Sequence, residues 1–150
     1  MSAGFTLVEL LLVLAIFLLV GVTVLPLYGN LAVTTQLNEE TSQLVQTMRL
    51  ARERSVVGLN AAHHGVCFEA SPPADRYILY QGVDCTGRIV EYDRIVDLPP
   101  ALRVSTTLLA NDLNFNSLGA PLAAGSVTLD HEASGQRMIT INELGLVEEN

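Results

Sequence analysis

At 150 residues the chain has room for one domain, and any segment spent in a membrane leaves a small remainder to build a core. Sixteen acidic residues against eight basic ones give a formal charge of −8; every basic residue is Arg, and this balance disfavours an electrostatic nucleic-acid binder. The apolar content is uneven: the run from Phe5 to Leu27 is almost wholly apolar while the rest has an ordinary soluble composition, which separates an anchor from a head.

From Leu10 to Val22 there is no polar side chain. Extending the segment to Phe5 and Leu27 admits only Thr6, Glu9 and Thr23 as polar interruptions, with Gly21 and Pro26 as weak helix formers. That length suffices to cross a bilayer. A secretory signal peptide has a basic start, a shorter apolar core and small residues after it; here Ser2, Ala3 and Gly4 come first, so cleavage after the run is not expected. Glu9 is the odd residue, because an ionised carboxylate in an apolar helix is costly unless it is paired or reaches the interface. The plain structural reading places it near the helix N-terminus, stabilised by the dipole and the headgroups.

Gly4-Phe5-Thr6-Leu7-Val8-Glu9-Leu10-Leu11 resembles the class III signal of type IV pilins and type II secretion pseudopilins. The resemblance implies that a prepilin peptidase cuts between Gly4 and Phe5 and N-methylates Phe5, so that residues 1–4 are a leader. It also implies that Glu9 meets the N-terminal amine, at Phe5, of a neighbouring subunit as a filament assembles. Elementary electrostatics agrees with this role: among packed apolar helices a lone carboxylate is disfavoured, whereas a charge pair between subunits fixes their axial register. Pro26 matches a proline common in these helices, where the missing N–H weakens the ladder near Gly21; it serves either assembly or a simple kink at the membrane exit. Met1-Ser2-Ala3 departs from the usual basic leader, so either the amino terminus alone supplies the cytoplasmic positive charge or the natural start lies further upstream.

Beyond Asn30 the apolar residues thin to a stripe, Leu37, Leu44, Met48, Ala51 and Ser55, which is one face of a helix. Gln36, Asn38, Glu39, Gln43, Gln46, Arg49 and Glu53 fill much of the opposite surface, and Gly58 and Asn60 suit its end. A helix unbroken from Phe5 to near Val57 has a length of roughly 80 Å at about 1.5 Å per residue. The segment from Met48 to Val56 resembles the end of this helix in the GspH/FimT branch of the superfamily. For Arg49, Arg52 and Arg54 a solvated face near a helix C-terminus is the favoured reading over a dedicated partner site.

After Ala62 the chain turns to short β-prone runs: Gly65 to Glu69, Arg76 to Gln81, Arg88 to Val96, Ala101 to Leu108, Leu113 to Asn116, Ser126 to Asp130 and Met138 to Asn142. These predict an antiparallel β-rich head. Cys67 and Cys85 fall on neighbouring strands or their loops, and an even count outside the apolar run favours one disulfide, worth about 3 kcal/mol by the loop-entropy model. Two separate free thiols are the alternative. The stretch from Leu113 to Pro121, then Gly125 to Leu129, Ile139 to Asn142 and Gly145, resembles the C-terminal half of GspH/FimT heads.

Catalytic chemistry is not assembled. His63 and His64 are adjacent and diverge on a strand, without a spaced Cys, Asp or Glu set for zinc. Asp130-His131-Glu132 reads as a polar turn, no phosphate-cradling glycine loop is present, and Glu143 to Asn150 lacks calcium-loop spacing. A DNA-binding relative of this branch carries a Gly-Arg-x-Arg pattern near its C-terminus; here Gly145-Leu146-Val147-Glu148-Glu149 puts acids where that reading needs cations.

The expected organisation is α+β: leader 1–4, transmembrane or bundle segment 5–27, amphipathic helix half 28–58 and β-rich head 59–150. The expected role is a minor pseudopilin near the tip of a type II secretion pseudopilus, or alternatively a FimU/FimT-like minor pilin of a type IV pilus, with DNA uptake a weaker reading. It has no enzymatic activity, cofactor, metal or small-molecule substrate. Prepilin peptidase and other pilins are the partners, and the chain waits in the bacterial inner membrane with its head in the periplasm.

Overall fold

The computed structural model describes residues 6–149, with residues 23–30 described by backbone alone. One helix, α1 (Leu7–Val57), is followed by eight strands: β1 (His64–Glu69), β2 (Arg76–Gln81), β3 (Arg94–Asp97), β4 (Leu102–Thr106), β5 (Asp112–Phe115), β6 (Gly125–His131), β7 (Gly135–Ile141) and β8 (Val147–Glu149). By compactness the chain divides into residues 1–35 and residues 36–150.

In the first unit the described side chains of residues 6–22 are all exposed. A helix that is apolar all round is suited to lipid or to the inside of a helix bundle. Among the described residues no helix is long and apolar enough to cross a membrane. The span expected over residues 5–27 lies partly outside them, at Phe5 and at the side chains of 23–27, Pro26 included.

In the second unit the helix presents Leu37, Thr41, Leu44, Val45, Met48, Ala51 and Ser55 to the core, all buried. Apart from Val45 they recur at alternating steps of four and three, so one stripe stays on one side over five turns. Thr41 belongs to this stripe because its hydroxyl donates back to Leu37 O at 2.7 Å and so carries no unmet polar group inward. The helix ends where Gly58 takes φ +68°, a left-handed conformation that glycine adopts without strain.

The strands form two antiparallel sheets of four, ordered β3-β2-β1-β5 and β4-β6-β7-β8. Alternation sends Val66, Phe68, Tyr77, Leu79, Leu113 and Phe115 from the first sheet, and Leu102, Val104, Val127, Leu129, Ile139, Ile141 and Val147 from the second, into one core with the helix stripe. Asp75, buried ahead of β2, binds the two sheets: its carboxylate accepts from Val104 N–H at 2.9 Å and its carbonyl from Leu98 N–H at 2.8 Å. The first of these bonds caps an edge donor of β4 that would otherwise be left bare.

Two expectations need correction in detail. The run Arg88 to Val96 is not one strand: Arg88 makes a single bridge with Gly82, residues Val90–Tyr92 form a 3-10 turn, and β3 begins only at Arg94. The cause is local, since Arg88 donates to Cys85 O at 2.7 Å and to Asp93 Oδ2 at 2.8 Å and folds the segment back on itself. The C-terminal strand β8, in register with β7 from Ile141↔Val147 to Ile139↔Glu149, was not expected.

Candidate functional site

Two features of the chain lie outside the main core. The first is the start of α1. Thr6 precedes the helix and its Oγ1 accepts from the N–H of Glu9 at 3.3 Å, which supplies one of the orphan amide donors of the first turn. Thr6 and Glu9 therefore occupy the first and last positions of a capping-box spacing, with the Glu9 carboxylate near the positive end of the helix dipole. Glu9 is exposed, and among the described residues it makes no ion pair. Gly4 and Phe5, the expected processing residues, lie outside the described residues, as does the side chain of Pro26. The cap by Thr6 was legible as a Thr three residues before a Glu.

The second feature lies on the outer face of the first sheet. Cys67 and Cys85 are joined in a disulfide with their Cα atoms 5.7 Å apart. With Ile78 and Tyr80 they form a small apolar cluster on the face away from the main core. Gly65 stands between Tyr80 on β2 and Asn114 on β5, and a Cβ there would meet the Tyr80 ring. The missing side chain lets the phenol lie across β1 and donate to Asp112 Oδ1 at 2.6 Å, while Asn114 Nδ2 donates to the Tyr80 oxygen at 2.9 Å. The other oxygen of Asp112 accepts from Cys85 N–H at 3.1 Å, so the same carboxylate holds both the tyrosine and the disulfide loop.

Burial raises the Asp112 carboxyl above the usual carboxylate range, against the opposing pull of these two donors. Burial likewise pushes the Tyr80 hydroxyl far up, so it remains a donor at any working pH. The loop itself is tied by Asp84, whose Oδ1 accepts from Thr86 N–H, Thr86 Oγ1 and Gly87 N–H at 2.8, 2.7 and 2.6 Å; these bonds hold its carboxyl below the usual range. Beside the loop is a cleft of about 270 Å³ whose lining includes Asp84, Cys85, Leu109, Ala110, Asp112 and Leu122.

The arginines near the end of α1 do more than face solvent. Arg49 donates to Val147 O at 3.0 Å and Arg52 to Gly119 O at 3.0 Å and Leu144 O at 3.3 Å, so both hold the C-terminal segment on the helix. Gly145 packs against Gly119 O with φ +75°, which leaves no space for a Cβ. His63 is exposed and His64 buried, so the pair diverges; the His64 ring Nε2 lies 3.2 Å from Leu59 O, a contact that requires the proton on that nitrogen. In the Asp130-His131-Glu132 stretch, His131 Nδ1 accepts from Ala133 N–H at 3.1 Å within the turn, and its acidic neighbours are exposed.

Comparison with known proteins gives the same architecture. The structure is similar to the type IV minor pilin FimU of Pseudomonas aeruginosa, with a TM-score of 0.61 and 16% identity over 78% of this chain and 90% of that one. It is also similar to the minor pseudopilin EpsH of the Vibrio cholerae type II secretion system, with a TM-score of 0.56 and 12% identity over 77% of this chain and 93% of that one. At these identities the likeness is one of fold. No curated protein matches the sequence. The family model described as type II transport protein GspH matches residues 40–145, the last part of α1 and the head up to Gly145, just before β8, and the N-terminal signal lies outside that match. The chain belongs to the GspH family of type II transport proteins.

Proposed function

We propose that this chain is a minor pseudopilin, incorporated near the tip of a type II secretion pseudopilus, with a structural and assembly role and no catalysis of its own. The observation that carries the proposal is the family match over residues 40–145, which covers most of the helix stripe and every strand except β8 of the two sheets that share one core. In this reading a prepilin peptidase cuts between Gly4 and Phe5 and methylates Phe5. The mature chain waits in the inner membrane as a single-pass protein with its head in the periplasm, then joins other pilin-like subunits through α1. Glu9 pairs with the amine of a neighbouring Phe5, and Pro26 loosens the helix during packing. The apolar surface all round residues 6–22 and the exposure of Glu9 support this reading, because apolar side chains and a carboxylate on the outside of one helix suit burial and pairing against neighbouring helices.

The likeness to FimU keeps a second reading in view, a minor pilin of a type IV pilus. DNA uptake has less support, since Glu148 and Glu149 are exposed on β8 and repel phosphate. Secretion separates the two main readings. An in-frame deletion strain, compared with its complemented parent, is expected to lose protein from the culture supernatant and trap it in the periplasm. Unchanged secretion with a loss of surface pili would transfer the chain to the pilus.

A further inference from the structure

Leu109 and Leu122 flank the cleft beside the disulfide loop, and they stand 75% and 79% exposed. Leu109 is held there by its backbone: the next two residues, Ala110 and Asn111, take φ +56° and +54°, a region that side-chain-bearing residues avoid. A strained turn that keeps a large apolar side chain in water suits a contact not made within the chain. The floor is rigid, because Cys85 is fixed by the disulfide and Asp112 by Tyr80 and the Cys85 amide. Leu122 also borders a second cleft with Val83, itself 69% exposed, so the apolar surface continues past the first.

The charge around the cleft has one sign. Asp84 lines it and is held ionised by the hydroxyl and amides of Thr86 and the amide of Gly87, whereas no Arg lines it. Arg88, the nearest cation in sequence, is committed to Cys85 O, Asp93 and Glu69. A second copy of this chain is a poor occupant, since each copy carries a net charge of −8.

We propose that this cleft is the docking site for a segment of a different filament subunit, one in which an apolar side chain is flanked by Lys or Arg. The apolar side chain enters between Leu109 and Leu122 and the cation meets Asp84. This inference rests on the filament role given above and adds to it which face of the head takes the neighbour and what chemistry that neighbour presents.

The test uses the full chain in cells that carry the complete filament machinery, with the photo-reactive residue p-benzoylphenylalanine at Leu122, at Leu109 or, as control, at Met138 on the outer face of the second sheet. Assembly of the chain is measured in the same samples by co-purification with the other subunits. The cleft positions are expected to cross-link one different pilin-like subunit well above the Met138 control, at a peptide bearing an apolar residue beside Lys or Arg. Asp84→Asn, which keeps an oxygen for the turn and removes the charge, is expected to lower that yield several-fold. Cross-linking to a second copy, yields at the level of Met138 in assembled chain, or a yield indifferent to Asp84→Asn would each overturn the inference while leaving the filament role intact. Absence of the chain from the assembly would overturn both.

Discussion

Tyr80 reaches across Gly65 to donate its hydroxyl to Asp112 at 2.6 Å, and this bond joins β2 to β5 over the strand that lies between them. Removing the hydroxyl in Tyr80→Phe leaves a half-buried carboxylate and the Asn114 amide short of a partner, which is expected to cost about 1–3 kcal/mol in a urea titration. Gly65→Ala is expected to cost more, because its Cβ drives the phenol off β1 and the Leu113 carbonyl also stands in the way. A Gly65→Ala protein as stable as wild type would contradict the crossing.

The raised Asp112 carboxyl gives a pH dependence of definite sign. A proton held more tightly by the folded chain favours folding fully below the ordinary carboxylate value, and that advantage is lost as pH rises through the raised folded value. Stability measured from about pH 4 upward therefore contains a falling component that Asp112→Asn removes.

His64 gives the opposite slope. Burial, with the charge of Arg54 adding to it, lowers its pKa despite the Leu59 carbonyl, so the folded chain holds a neutral ring. The stabilisation is present above about pH 6.5 and is lost as pH falls through the lowered folded value. His64→Gln is expected to flatten the decline seen on acidification just below pH 6.5. The two slopes are separated by measuring the two variants side by side.

Loss of the disulfide, in Cys67→Ala/Cys85→Ala, is expected to lower stability by about 2–5 kcal/mol and to speed hydrogen exchange in residues 82–93 before the rest of the head. Uniform exchange across the head would show that the loop is held by Asp84 and Arg88 alone.

Arg52 joins two backbone segments to α1, so Arg52→Ala is expected to leave the Gly119 and Leu144 carbonyls without their donor and to cost about 1–3 kcal/mol. Arg52→Lys is expected to recover little, because one ammonium does not reproduce a guanidinium that addresses two carbonyls through Nε and Nη2. Full recovery by Lys would mean that charge rather than geometry holds the segment.

What could be read from the sequence was periodic and local. The stripe Leu37, Leu44, Met48, Ala51 and Ser55 is buried in the structure because a 3.6-residue repeat leaves one face to the core. The two cysteines were legible as a pair only by count; that they bond follows from β1 and the loop after β2 bringing their Cα atoms within 5.7 Å. Ile89, Val90 and Tyr92 have strand-like composition, yet the side-chain bonds of Arg88 turn them into a loop. β8 offers one buried apolar residue, Val147, and depends on β7 for its register, so no periodicity announces it. The bonds of Arg49 and Arg52 join residues 98 and 67 positions apart, and the Tyr80, Asp112 and Asn114 cluster needs the order β2-β1-β5. Neither is encoded within a window of neighbouring residues.

The most direct measurement is the recovery of Glu9→Ala chain in purified filaments, set beside wild type and with the mature N-terminus of both determined by mass spectrometry. The pairing of Glu9 with the Phe5 amine of a neighbour predicts that both chains begin at a methylated Phe5, and that only the wild type is found in the filament. Normal incorporation of Glu9→Ala, or a wild-type chain in the filament that does not begin at Phe5, would contradict it.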